Sequence, residues 1–154
     1  PCLEFLGKDN AVSDMVGEKL AERHVAEALA EVWLDDGIEL LFAMVVPEPG
    51  CAGRAVVGYL LLLEVEQTAA AQAELPHWCE RVERCLRRNY HYDHARNRGQ
   101  LAPLRGVLVC DGARSFREAE VRRGARIGTI KIPALDCRLA PSGAPWWQTA
   151  TNGE

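Results

Sequence analysis

The chain has 154 residues, 48% hydrophobic and 26% charged, with a formal net charge of −4. That size is the prior for one domain burying roughly 70% of its unfolded surface, and the balance excludes disordered, collagen-like and coiled-coil chains. A pI near 5.6 argues against a dedicated nucleic-acid binder, whose domain pI typically exceeds ~9. The longest apolar stretch, residues 55–63 interrupted by Gly58, is about half the ~20 residues of a spanning helix. No basic segment leads into an apolar one at the start of the chain, so the expected setting is cytoplasmic, with no membrane partner.

In chain order, an apolar lead-in from Pro1 ends at Gly7-Lys8-Asp9-Asn10, turn chemistry that marks a bend or hinge. Residues 18–34 read as a helix, with Leu20, Val25, Ala28, Leu29 and Val32 on one face. Glu18, Glu22, Arg23, Glu27 and Glu31 fall on the other. Ile38–Val46 and Ala55–Val65 read as two strands joined by the Pro- and Gly-punctuated loop 47–53. Residues 67–74 read as a polar connection, and Pro76 as the start of a helix running through Trp78, Val82, Cys85, Leu86 and Tyr90. Glu80 with Arg84, and Glu83 with Arg87, are spaced as i,i+4 pairs. Residues 97–103 form a turn, 105–110 a strand, 115–123 a helix ended by Gly124, and 126–132 a last strand before a tail with Trp146-Trp147. The expected fold is α+β: a mixed β-sheet flanked by helices, in a two- or three-layer sandwich.

Few side chains carry chemistry by pattern alone. The six cysteines include no C-x-x-C pair and read as free buried thiols rather than a zinc site. His91 and His94 lack a third ligand in sequence and read as a polar helix end, so no metal site is assigned. Arg81, Arg84, Arg87, Arg88, Arg96 and Arg98 are interleaved with glutamates, as on a solvated helix face. Glu64 and Glu66 lack the lysine of a metal nuclease. A free Pro1 would suit a tautomerase, but the break at Gly7-Lys8-Asp9 fits that fold poorly. The composition of the cations is more informative. Fifteen of the 18 are arginine, and the lysines are Lys8, Lys19 and Lys131 alone; a compact ammonium on a flexible stem does what a planar guanidinium does not.

Those lysines sit in stretches with a family resemblance. Residues 5–29, with Lys8-Asp9 before a glycine and a helix, resemble the start of the C-terminal domain of adenylate-forming enzymes. Three further stretches resemble the auxin-responsive Gretchen Hagen family of acyl acid amido synthetases. They are the Pro-Gly hairpin of residues 48–66 leading to Tyr59 and a glutamate, the Cys79–Tyr90 helix followed by Pro103-Leu104, and the ending that runs from Gly112 through Phe116, Lys131 and Pro133. Thr129-Ile130 and Ala134 depart from the family pattern at the last of these.

The resemblance implies a hinge and lead-in at residues 1–10, a C-terminal lid domain at 11–138 and a tail at 139–154. It assigns Lys131 to the catalytic lysine that closes over the nucleotide, Lys19 to a nucleotide contact, and Lys8 and Asp9 to the hinge. It further implies a parent chain with a larger N-terminal domain, using ATP and Mg²⁺ to adenylate a carboxylic acid and then join it to an amine, an amino acid by the same resemblance. The lid alone would hold no cofactor and be inactive. The competing reading is a stand-alone α+β small-molecule-binding or regulatory module in which the lysines are incidental.

Overall fold

The computed structural model describes residues 12–36, 39–48, 56–66, 69–138 and 145–147. The hinge candidates Lys8 and Asp9, together with Cys2 and Cys51, lie outside them. Strands β1 (Val12–Ser13) and β2 (Leu20–Ala21) pair antiparallel as a small separate ladder. Helix α1 (Glu22–Asp36) follows, then β3 (Leu40–Glu48) and β4 (Gly58–Val65). Helices α2 (Ala69–Leu86) and α3 (Tyr90–Asn97) lead to β5 (Arg105–Leu108), and α4 (Gly112–Arg122) precedes a 3₁₀ turn at Ile127–Thr129.

The main sheet has the order β3-β4-β5, antiparallel on one side of β4 and parallel on the other. A mixed sheet of this kind needs a crossover before β5, and α2 and α3 supply it. Alternation sorts the central strands onto two cores. Val45, Tyr59, Leu61 and Leu63 face α1, α2 and α3. Met44, Val46, Leu60 and Leu62 pack with Phe116 of α4 and with Trp146 and Trp147. The result is a three-layer α+β sandwich, and β4 is apolar without a break from Tyr59 to Leu63 because both its faces are covered. At Gly106 α2 lies so close to β5 that an added Cβ would stand 2.6 Å from Cys79 Sγ and Leu75 Cδ1.

Four local expectations need correction. Helix α1 begins at Glu22, not 18: the step from Leu20 to Val25 is five residues and breaks the three-four spacing that Val25, Ala28, Leu29 and Val32 keep. Pro76 lies inside α2 rather than at its start, because Ala71 and Leu75 continue the buried stripe of Trp78, Cys79, Val82 and Leu86. That packing overrides the ~3 kcal/mol cost of an interior proline. The helix does not run on through Tyr90. Asn89 caps a new helix by accepting the His91 N–H at 3.0 Å, which exposes Tyr90 and buries Tyr92. Finally, residues 126–132 are not a strand. A 3₁₀ turn occupies 127–129, and sheet pairing resumes only at Leu135, which adds one parallel rung beside Val45.

Candidate functional site

Between β1 and β2 the chain makes a turn built around one buried carboxylate. Glu18 is fully buried, not on a solvent-facing helix surface as its spacing suggested. Its carboxylate accepts the N–H of Met15 at 2.9 Å and of Val16 at 2.8 Å, and the hydroxyl of Tyr59 from the central strand. Burial, and then the bond to Glu18, pushes the Tyr59 hydroxyl far above the usual phenol range. The turn also needs two left-handed residues, Gly17 at φ 94° and Lys19 at φ 42°. Glycine adopts that region freely, whereas an L-residue is strained there by about 1–2 kcal/mol. Neighbouring groups hold Lys19 in place: its carbonyl accepts Asn89 Nδ2 at 3.1 Å, and the same amide faces His24 Nδ1 at 3.1 Å. The Lys19 side chain is exposed.

Lys131 stands on different ground. It follows the 3₁₀ turn on extended backbone that belongs to no ladder. Ile130 and Ile132 lie inward against the α4-side core, while Lys131 faces out and is exposed. The period-two alternation around this lysine is therefore real even though the strand is not. Beyond it the chain is pinned twice: Ala134 donates its N–H to Glu22 Oε1 at 3.2 Å, and Val45 N–H donates to Ala134 O at 2.8 Å. Lys131 lies three residues before this anchor and Lys19 three residues before Glu22, so both exposed ammoniums rise from chain near one contact. The fold brings their segments together; Lys8 and Asp9 lie outside the described residues.

Other candidates resolve into structure. Glu64 accepts the N–H groups of Asp111 and Gly112 at 3.1 and 2.9 Å, capping α4. Glu83 does not pair with Arg87. It binds Arg96 Nε at 2.6 Å, the Tyr92 hydroxyl at 2.9 Å and the Leu104 N–H at 2.9 Å, tying α2 to α3 and β5. Arg87 turns to Asp93 at 2.5 Å, and its guanidinium holds that carboxyl below the usual range. Arg88 pairs with Glu31 at 2.5 Å across to α1. The arginine stretch is thus largely a set of inter-helix ties. His91 and His94 are exposed beside the Tyr90 ring. Among the described residues no three His, Cys, Asp or Glu side chains gather as a metal site. Cys79, Cys85, Cys110 and Cys137 form no disulfide; Cys79 is buried, but Cys110 is exposed, against the expectation of buried thiols. Burial pushes the Cys79 and Cys137 thiols up to about 11.

The family model described as the GH3 family C-terminal domain matches residues 19–136, and so spans both lysine-bearing segments. The chain belongs to the GH3 family. Its solved structural neighbours include a GH3.15 acyl acid amido synthetase, with a TM-score of 0.66 and 19% sequence identity. That similarity covers 86% of this chain and 25% of the synthetase, so this GH3 domain spans about a quarter of that protein's length. At such identity the likeness carries the fold. No curated protein matches the chain. Glu18 lies just outside the matched range, and sequence reasoning missed it; the five-residue step at Leu20 is the feature that could have placed it in a turn.

Proposed function

We propose that this GH3 domain is the mobile C-terminal lid of an ATP-dependent acyl acid amido synthetase whose larger N-terminal domain belongs to the same parent chain. The observation that carries the reading is Lys131: an exposed ammonium on unladdered chain, inside the family match, tethered a few residues later at Ala134. In the first half-reaction a substrate carboxylate oxygen attacks the α-phosphorus of ATP, the bond to the β-phosphate oxygen breaks, and pyrophosphate leaves. Lys131 would offset the charge that builds on the phosphoryl oxygens in that transition state, with Lys19 as a second nucleotide contact. In the second, an amine attacks the acyl carbonyl, AMP departs, and a proton is lost from nitrogen as the amide forms. A swing of the lid about Lys8-Asp9 would let one site serve both steps.

The Mg²⁺ that accompanies the nucleotide finds no ligand set among the described residues, and this reading places its ligands on the N-terminal domain. No phosphate-cradling glycine-rich loop occurs in the 154 residues. The parent is therefore expected to exchange pyrophosphate into ATP in the presence of a carboxylic acid, while the isolated chain does neither this nor bind ATP tightly. Calorimetry giving about micromolar ATP affinity (roughly −8 kcal/mol) for the chain alone would favour a stand-alone binding module instead.

A further inference from the structure

Helix α4 buries Phe116 and Ala119 and turns Arg114, Arg117, Val121 and Arg122 outward. Gly124 ends the helix at φ 94°, and the 3₁₀ turn brings Ile127 beside Val121. A groove of about 430 Å³ lies between them, lined also by Arg114, Arg117, Glu118 and Arg122. Two apolar side chains stand open there, Val121 at 40% and Ile127 at 74% exposure. The charges around them are not balanced. Glu118 is taken by Arg114 at 3.0 Å, and nearby Glu120 by Arg123 and Arg138. Arg117 and Arg122 have no ion-pair partner among the described residues. Several arginines elsewhere are paired with carboxylates, as at Arg88, Arg96 and Arg105. In a chain of net charge −4, this is a locally uncompensated positive rim around an apolar floor.

The groove lies near the Lys131 segment in the chain. Ile127, on the groove, precedes Lys131 by four residues, at most ~14 Å of chain, so a body that meets Lys131 has the groove within reach. The matched synthetase is about four times the length this chain covers, which leaves a large body to be seated. We infer that the groove between α4 and the 3₁₀ turn docks on an acidic, apolar-centred surface of the N-terminal domain of the same parent chain, in the lid position that brings Lys131 to the nucleotide. The inference rests on the lid reading and adds to it a face, a partner chemistry and a step. Arginine stems and the two aliphatic side chains supply burial, and the guanidiniums supply register.

The test uses the full-length parent carrying Arg117→Glu and Arg122→Glu together. Both side chains are exposed, so the melting temperature stays at the wild-type value. Acid-dependent pyrophosphate exchange is expected to fall by about tenfold or more, because charge reversal sets like charges against each other across the contact. Amine transfer from preformed acyl-adenylate should stay within about twofold. Exchange at the wild-type rate, in a parent where Lys131→Ala does depress it, would overturn the docking face and leave the lid reading standing. Exchange unaffected by Lys131→Ala as well would remove both. Equal losses in the two half-reactions, or a dimer in sedimentation that the variant dissociates without slowing exchange, would also overturn the proposal, the latter by making the occupant a second copy.

Discussion

Two lysine-bearing segments of this GH3 domain meet near the start of α1 but are built in opposite ways. Around Lys19 every turn of the backbone is specified: a buried carboxylate gathers two N–H groups and the Tyr59 hydroxyl, and a strained φ is held by an amide from another helix. Around Lys131 the chain is extended, unladdered, and anchored mainly by Ile130 and Ile132. The first arrangement fixes the backbone from which an ammonium rises. The second leaves one on a strap whose movement breaks few hydrogen bonds. In the proposed lid, the first site would hold its place while the second approaches a reacting phosphate.

The largest effect expected from this contrast is on stability. Glu18→Ala leaves the Met15 and Val16 N–H groups and the Tyr59 hydroxyl without their acceptor, and at about 1–3 kcal/mol for a buried donor left unmatched it should cost the chain ~3 kcal/mol. Lys131→Ala should lie within ~0.5 kcal/mol of wild type, as exposed substitutions do. Denaturant midpoints check both, and similar losses would erase the distinction.

A smaller change sharpens it. Lys19→Gly relieves the left-handed strain and, after the entropy glycine adds to the unfolded chain, should leave stability unchanged or raise it by up to ~1 kcal/mol. At an ordinary negative-φ position the same change would cost about 0.5–1 kcal/mol. A clear loss of stability would show that the ammonium itself supports the fold.

The smallest effect is a slope. His24 Nδ1 accepts the Ala21 N–H at 3.3 Å, which needs the neutral ring, and burial followed by Arg23 lowers its pKa from the usual 6.5. The unfolded chain therefore takes up this proton first. The His24 contribution is full above pH ~6.5 and is lost as pH falls through that value toward the folded pKa. His24→Asn should flatten the pH dependence of the melting temperature over that window, and an unchanged slope would place the titration elsewhere.

How much of this was legible in the sequence depended on whether a residue's role was local. The two-sided burial of β4 shows as the apolar run from Tyr59 to Leu63, and the outward Lys131 between inward isoleucines shows as simple alternation. Segment order gives an α+β sandwich of two or three layers, and the cores on both faces of the sheet decide for three. Glu18 was misplaced because charge next to a helical pattern looks like a solvent face, and one of its donors, Tyr59, lies 41 residues away. Glu83 and Arg87 sit at the right spacing to pair, yet each finds a better partner once α3 folds back. Pro76 follows a local rule that a longer buried stripe overrides. The groove on α4 had no sequence mark, since arginines facing solvent and arginines without partners look alike until every carboxylate is placed.

The central claim, that Lys131 serves one half-reaction of a two-step lid enzyme, is tested most directly by separating the steps in the full-length parent. Lys131→Ala should slow acid-dependent pyrophosphate exchange by ~10²–10³-fold, the usual loss for one preorganised transition-state donor, while amine transfer to preformed acyl-adenylate proceeds at the wild-type rate. Lys131→Arg should recover only part of the exchange, because a planar guanidinium does not take the place of a compact ammonium. Equal loss in both half-reactions, or no loss in either, would contradict the account.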